Sequence, residues 1–195
     1  MQQKVCFISW SGGMDSTGLV VKKLSEGYEV HTVSFNYGQK HSVELERLQQ
    51  NIQYFKSHSI HVRHTLIEIP NTFQKGHSTL MNGGGKVPEG YYEEANMQQT
   101  VVSNRNGIFF NHLYALAHQH AYINRIPVEI SLGVHSGDHA IYPDCRPEYI
   151  KAFQEMANLA TATGIDGKNI KIETPLSLLS KKETIELGIE LGVDY

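Results

Sequence analysis

Short apolar runs alternate with longer stretches of helical periodicity along this chain, and that alternation constrains the fold more than any other feature. Strand-like segments fall at Lys4–Ser9, Glu29–Phe35, Ile60–Ile69, Val128–Val134 and Ile170–Glu173. The spacing predicts helices over Asp15–Glu26, Lys40–Ser57, Arg105–Asn124, Pro147–Thr163 and Lys181–Leu191. In the second of these, Leu45, Leu48, Ile52 and Phe55 share one stripe. Strands separated by helices pair in parallel, and a parallel sheet is covered on both faces. Its strands then read as unbroken apolar runs such as Val5-Cys6-Phe7-Ile8. The expected fold is α/β, a Rossmann-like parallel sheet of about five strands with helices on both faces.

At 195 residues, 40% hydrophobic, the chain supplies one sizeable core, so residues 1–195 read as a single domain. A net charge of −3 offers no general attraction to nucleic acid or to an anionic membrane. No apolar stretch approaches the ~20 residues of a spanning helix. The N-terminus also lacks the basic-then-apolar form of a signal peptide. Two distant cysteines, Cys6 and Cys145, make no disulfide framework. The expectation is a cytoplasmic protein with small-molecule partners and no direct nucleic-acid or membrane contact.

The first apolar run leads into Ser11-Gly12-Gly13-Met14-Asp15-Ser16-Thr17, a turn that opens a helix. Plain turn chemistry accounts for these residue types, because glycine allows positive φ while Asp, Ser and Thr cap helices. So does an anion site, since unpaired first-turn amides and the helix dipole attract phosphate. Ligands of doubly wound sheets sit beyond the carboxyl ends of the strands, where this turn lies, so position favours the phosphate reading. Neither G-x-x-x-x-G-K-[ST] nor G-x-G-x-x-G occurs at this turn. A second break comes at residues 71–103, which carry Gly83-Gly84-Gly85 and little periodicity. A loop this long is a linker or a functional lid, and Tyr91, Tyr92 and Met97 favour a partly ordered loop near a site.

The pattern S-G-G-x-D-S after the first strand resembles the PP-loop of the N-type ATP pyrophosphatases. That superfamily has an adenine nucleotide alpha hydrolase-like fold and cleaves ATP between its α and β phosphates. Further stretches extend the likeness: FNYGQKHSVELE from Phe35, TVVSNRNGIF from Thr100, LGVHSGDHAIYPDCRPEYIKAF from Leu132 and ETPLSLLSKKET from Glu173. In this order they are similar to the 7-cyano-7-deazaguanine synthases, over nearly the whole chain. The resemblance implies a ligase forming carbon–nitrogen bonds in queuosine biosynthesis. Its substrates would be ATP, ammonia and 7-carboxy-7-deazaguanine, activated first as a carboxylate adenylate and then as an amide adenylate.

Carried onto this chain, the resemblance implies that Ser11, Gly12 and Gly13 offer loop amides, with the Ser16 and Thr17 hydroxyls on pyrophosphate. Asp15 would hold Mg²⁺ or orient the loop, against the alternative of a helix cap. Lys181 matches the family lysine, and a cation is unfavourable at a helix start unless an anion is bound there. Arg105 and Asn106 would bind phosphate, carboxylate or a purine-like edge, against a salt bridge and a cap. Tyr37, Gln39 and His41 would line the same mouth. Asp138, Asp144 and Arg146 would form the acceptor side, with capping by Asp144 as its alternative. His135 and His139 flank Ser136-Gly137-Asp138, which argues for a loop rather than a metal pair, and no nucleophilic role is expected for Cys145.

The family also implies a structural zinc on four cysteines toward the C-terminus. This chain ends at Leu191-Gly192-Val193-Asp194-Tyr195 before such a segment, and its two cysteines cannot replace it. A homodimer is implied by resemblance alone. Three alternatives stay open at this level: a relative transferring the deazaguanine to another molecule, a PP-loop enzyme modifying tRNA, and a non-catalytic nucleotide-binding module.

Overall fold

The computed structural model describes residues 4–39, 42–69, 72–73, 78–86, 95–160 and 170–195. Five strands form one sheet: β1 (Val5–Ser9), β2 (Glu29–Asn36), β3 (Arg63–Glu68), β4 (Val128–Ser131) and β5 (Lys171–Glu173). Their order is β3-β2-β1-β4-β5, and every neighbouring pair is parallel. Strand β1 is central, with Val5 opposite Glu29 on one side and Val128 on the other. The chain winds outward through β2 and β3, then returns to β4 on the other side of β1. That reversal opens a crevice beyond the carboxyl ends of β1 and β4.

The period-2 alternation of β1 divides the core. Val5 and Phe7 join the layer beneath α3 (Arg105–Asn124) and α4 (Pro147–Ala160), with Leu113, Ala117 and Phe153. Cys6 and Ile8 face the opposite layer, with Leu19 of α1 (Met14–Ser25), Leu48 and Phe55 of α2 (Ser42–Ser57) and Leu176. The last helix, α5 (Lys181–Glu190), packs on α1 and adds Leu187 to that layer. Helix α3 spans the predicted residues, and its buried Phe110, Leu113, Ala117 and Ala121 recur at helical spacing.

Two strands are shorter by several residues than the sequence suggests. β3 keeps only the residues that pair with His31–Asn36 and is an edge strand, so its outer end has no partner to hold it extended. β4 ends at Ser131, the last residue with a partner in β1. The chain then turns toward the start of α1, where a Cβ on Gly133 would sit 3.4 Å from the Ser16 Cα. Residues 40–41 and 161–163 of the predicted helices lie outside the described residues.

Candidate active site

The turn between β1 and α1 is built from both sides. Trp10 continues the sheet ladder by donating to the Val33 carbonyl at 2.8 Å. Gly12 has φ 86°, and a Cβ there would lie 2.7 Å from the Leu48 backbone nitrogen, so only glycine fits against α2. Asn51 of α2 donates to the Gly12 carbonyl at 3.2 Å and to Thr17 Oγ1 at 3.3 Å. The Trp10 indole donates to the same Thr17 oxygen at 3.0 Å. Ser11 Oγ accepts from the Gly13 amide at 3.2 Å, and Ser16 Oγ donates to the Gly13 carbonyl at 3.1 Å. Gly13 occupies the cap position of α1, and no side chain caps that helix. Its first-turn amides are therefore left for a ligand, which weighs against the capping reading of this turn.

Helix α5 is closed differently: Ser180 and Glu183 form a capping box at its start. The next residue after the cap, Lys181, pairs its ammonium with Asp15 Oδ2. The other Asp15 oxygen, Oδ1, is buried without a protein partner. A carboxylate oxygen left dry and unpaired beside free amides fits a cation that also touches phosphate.

A cavity of about 460 Å³ runs from this turn to the start of α3. Ser11, Asp15 and Ser16 line one end, Arg105 and Asn106 the other, and Asp138 is also in its wall. The Arg105 side chain places Nη1 3.4 Å from the Tyr37 hydroxyl oxygen and its guanidinium carbon 5.9 Å from the Phe109 ring centre. Its Nε is buried with no hydrogen-bond acceptor. Phe109 in turn stacks on Phe35, with centroids 4.1 Å apart and planes within 2°. Asp144 Oδ2 accepts from the Asn106 amide at 2.9 Å, while Asn106 Nδ2 donates to Cys145 Sγ at 3.0 Å. Burial, then the carboxylates of Asp138 and Asp144, push the Cys145 thiol up to about 12, so no thiolate nucleophile forms there.

The structure gathers Ser11, Asp15, Ser16, Tyr37, Gln39, Arg105, Asn106 and Asp138 on one cavity and Lys181 beside it. It does not bring Gly12, Gly13, Thr17, Asp144 or Arg146 into the lining. The Thr17 hydroxyl is used to brace the turn. Asp144 caps α3, although its position near Pro147 suggested the start of α4. Arg146 is exposed and donates from Nε to the His139 carbonyl at 3.1 Å. Gln39 folds onto its own loop, accepting from the Tyr37 amide at 2.9 Å and donating to the Phe35 carbonyl at 3.1 Å. His41 lies outside the described residues. His135 forms a capping box with Asp138 around residues 136–138. Asn51, Trp10, Phe35 and Phe109 support the site, and only the period-2 placement of Phe35 and the helical stripe of Phe109 signal their burial in the sequence. The long loop reaches the site as well: Leu80 lines the cavity, and Asn82 donates to the Gly38 carbonyl at 3.2 Å.

Among the described residues no three His, Cys, Asp or Glu side chains gather to hold a metal. The two cysteines are buried apart, one against Glu129 at 3.9 Å and one against Asn106, so they do not fit a structural zinc. No helix among the described residues is long and apolar enough to cross a membrane.

An uncapped helix start at the switch point of a parallel sheet, faced by a lysine and by an arginine whose Nε is buried, is the arrangement of an α/β nucleotide-binding protein. The family model described as queuosine biosynthesis protein QueC matches residues 5–195, and the chain belongs to that family. It is 40% identical over 185 residues to the 7-cyano-7-deazaguanine synthase of Caldicellulosiruptor saccharolyticus, covering 95% of this chain and 76% of that protein. The 7-cyano-7-deazaguanine synthase of Saccharophagus degradans is 41% identical over 196 residues, covering 100% and 81%. Among solved structures, the predicted subunit of tRNA methyltransferase from Methanocaldococcus jannaschii overlaps with TM-score 0.47 and 19% identity, covering 96% of this chain and 75% of that one.

Proposed function

We propose that this enzyme of queuosine biosynthesis joins ammonia to 7-carboxy-7-deazaguanine and drives the product on to the nitrile with ATP. The observation that carries the residue assignment is one cavity lined both by the turn at the uncapped start of α1 and by Arg105, whose buried Nε has no acceptor. The amides and Ser11 and Ser16 take the pyrophosphate portion of ATP, and Lys181 adds positive charge where negative charge concentrates as pyrophosphate leaves. Mg²⁺, held by Asp15 with the phosphates, would neutralise part of that charge.

Arg105 grips the 7-carboxylate, since a planar fork matches a carboxylate and its buried Nε still lacks an acceptor. The aromatic wall of Tyr37, Phe35 and Phe109 holds the flat ring, and the Asn106 amide oxygen accepts from its N–H edge. Asp144 acts through α3 by fixing the helix start that carries Arg105 and Asn106. Catalysis here consists of positioning and charge stabilisation, with no covalent protein intermediate. The substrates are free small molecules, the enzyme works in the cytoplasm, and it assembles as a homodimer; the net charge of −3 suits this better than a polyanionic substrate. Exchange of labelled pyrophosphate into ATP that depends on 7-carboxy-7-deazaguanine, with nitrile formed once ammonia is added, is the expected result. ATP turnover that ignores the deazaguanine acid would refute the reading.

A further inference from the structure

All three protons of ammonia must leave nitrogen on the way to a nitrile, and each needs an acceptor. The ammonia lone pair adds to the acyl carbon, the C=O pair moves to oxygen, and the new C–N bond leaves nitrogen with a surplus proton. Loss of that proton and return of the oxygen pair expel AMP and give the amide. The amide oxygen then attacks the α-phosphorus of a second ATP and displaces pyrophosphate, and the nitrogen gives up a proton. In the last step the remaining N–H pair becomes the third C–N bond as the C–O pair departs with the second AMP.

We propose that Asp138 is the proton acceptor for these steps. The inference rests on the functional reading above and adds a catalytic residue to it. Asp138 lines the same cavity as the turn residues Ser11, Asp15 and Ser16 and the α3 residues Arg105 and Asn106. It lies within electrostatic reach of Asp15 on α1 and Lys181 on α5 on one side, and of Cys145 beside Arg105 on the other. The carbonyl carbon undergoing adenylation must occupy that interval, because Arg105 holds the carboxylate and the PP-loop holds the phosphates. The carboxylate is also fixed in place: Oδ2 accepts from the His135 amide at 3.1 Å. The Gly137 amide donates to His135 Nδ1 at 3.1 Å, so the proton of the neutral ring sits on Nε2, 3.7 Å from Asp138 Oδ1. Asp15 is occupied by Lys181, and the Cys145 thiol sits too high to take or give protons near neutrality. Burial raises Asp138 above the usual carboxylate range; the His135 amide and ring oppose this, Asp15 adds to it and Lys181 opposes it. A more basic carboxylate is a better proton acceptor near neutral pH. At 15% exposure its side chain can release each proton to solvent.

The test separates carboxylate adenylation, which removes no N–H proton, from nitrile formation. Asp138→Asn keeps an oxygen for the His135 amide, and its thermal unfolding should match the native enzyme. Carboxylate-dependent pyrophosphate exchange should stay within about threefold, while conversion of the 7-carboxamide and ATP to nitrile should fall on the order of 10²-fold. For the native enzyme, that conversion should decline on the acid side along a limb set above the usual carboxylate range. Equal loss of exchange and nitrile formation in a folded variant, unchanged nitrile formation, or a native profile flat from about pH 5 to 8 would each overturn the proposal. Absence of exchange in the native enzyme would instead defeat the functional reading and this inference with it.

Discussion

Asp15 and Lys181 meet across the span of the chain, and their ion pair is open enough to solvent that it contributes little to stability. On the proposed function their effect belongs to the reaction. Asp15→Asn and Lys181→Ala should each lower pyrophosphate exchange by about 10²-fold, with unfolding midpoints shifted by only a few degrees. Exchange at the native rate in both would return them to a surface role. Arg105 behaves otherwise, because on the proposed function its guanidinium grips the deazaguanine acid. Arg105→Gln should raise KM for the deazaguanine acid at least tenfold and leave KM for ATP within about threefold, a change under ~1 kcal/mol. Asp144 shows how a single residue can mislead a reading made along the chain. Its carboxylate sits within a helix-start motif of its own, yet it caps a helix that begins 39 residues earlier. Asp144→Ala should therefore cost about 1 kcal/mol in urea unfolding and weaken both substrates together, whereas Asp144→Asn should retain most of the stability. Selective loss of the deazaguanine acid would restore Asp144 to the acceptor side.

Between elements, the anion loop depends on α2, which supplies no ligand. Gly12 presses on Leu48, and Asn51 ties the Gly12 carbonyl to the Thr17 hydroxyl. Gly12→Ala forces a Cβ against backbone at a positive φ, so it should destabilise the fold by more than ~1 kcal/mol and abolish exchange, as read by urea unfolding and by isotope exchange. Native exchange in that variant would mean that the loop is adaptable. The S-G-G-x-D-S turn was legible because its residue types and place after a strand coincide. The assignment of Thr17 to phosphate was not, since a hydroxyl in the first turn of a helix points to ligand or to core according to which neighbour packs there. Trp10 and Asn51 decide that, and both bonds join residues far from the motif's own letters. Similarly, the glycine-rich stretch reads as linker or lid until Met81 pairs with Gln39 and Leu80 enters the cavity wall.

Across the whole molecule, β4 is tied to α1 and to the entry of β2 by a part-buried polar cluster away from the site. Glu129 Oε1 lies 2.6 Å from Lys23 Nζ and accepts from Ser131 Oγ at 2.6 Å, while Oε2 accepts from the Tyr28 hydroxyl at 2.9 Å. Burial alone would raise Glu129, but the bonds from Lys23, Ser131 and Tyr28 outweigh it and hold the carboxyl below its usual value. A carboxyl depressed in the folded state stabilises above its unfolded pKa, and that contribution is lost as pH falls through the folded value. Unfolding free energy measured from pH 7 downward should thus drop below about pH 4, and Glu129→Gln should be less stable at pH 7 and lose that part of the slope. An unchanged slope would assign the acid sensitivity elsewhere. The sequence by itself determined the parallel sheet, the two helical layers and the anion loop, because apolar period and turn chemistry are local and repeat along the chain. Strand order, the alignment of β1 beside β4, the meeting of Asp15 with Lys181 and the Arg105 Nε left without an acceptor were decided only by tertiary structure. Each depends on which surfaces bury against one another, a choice that no single segment carries.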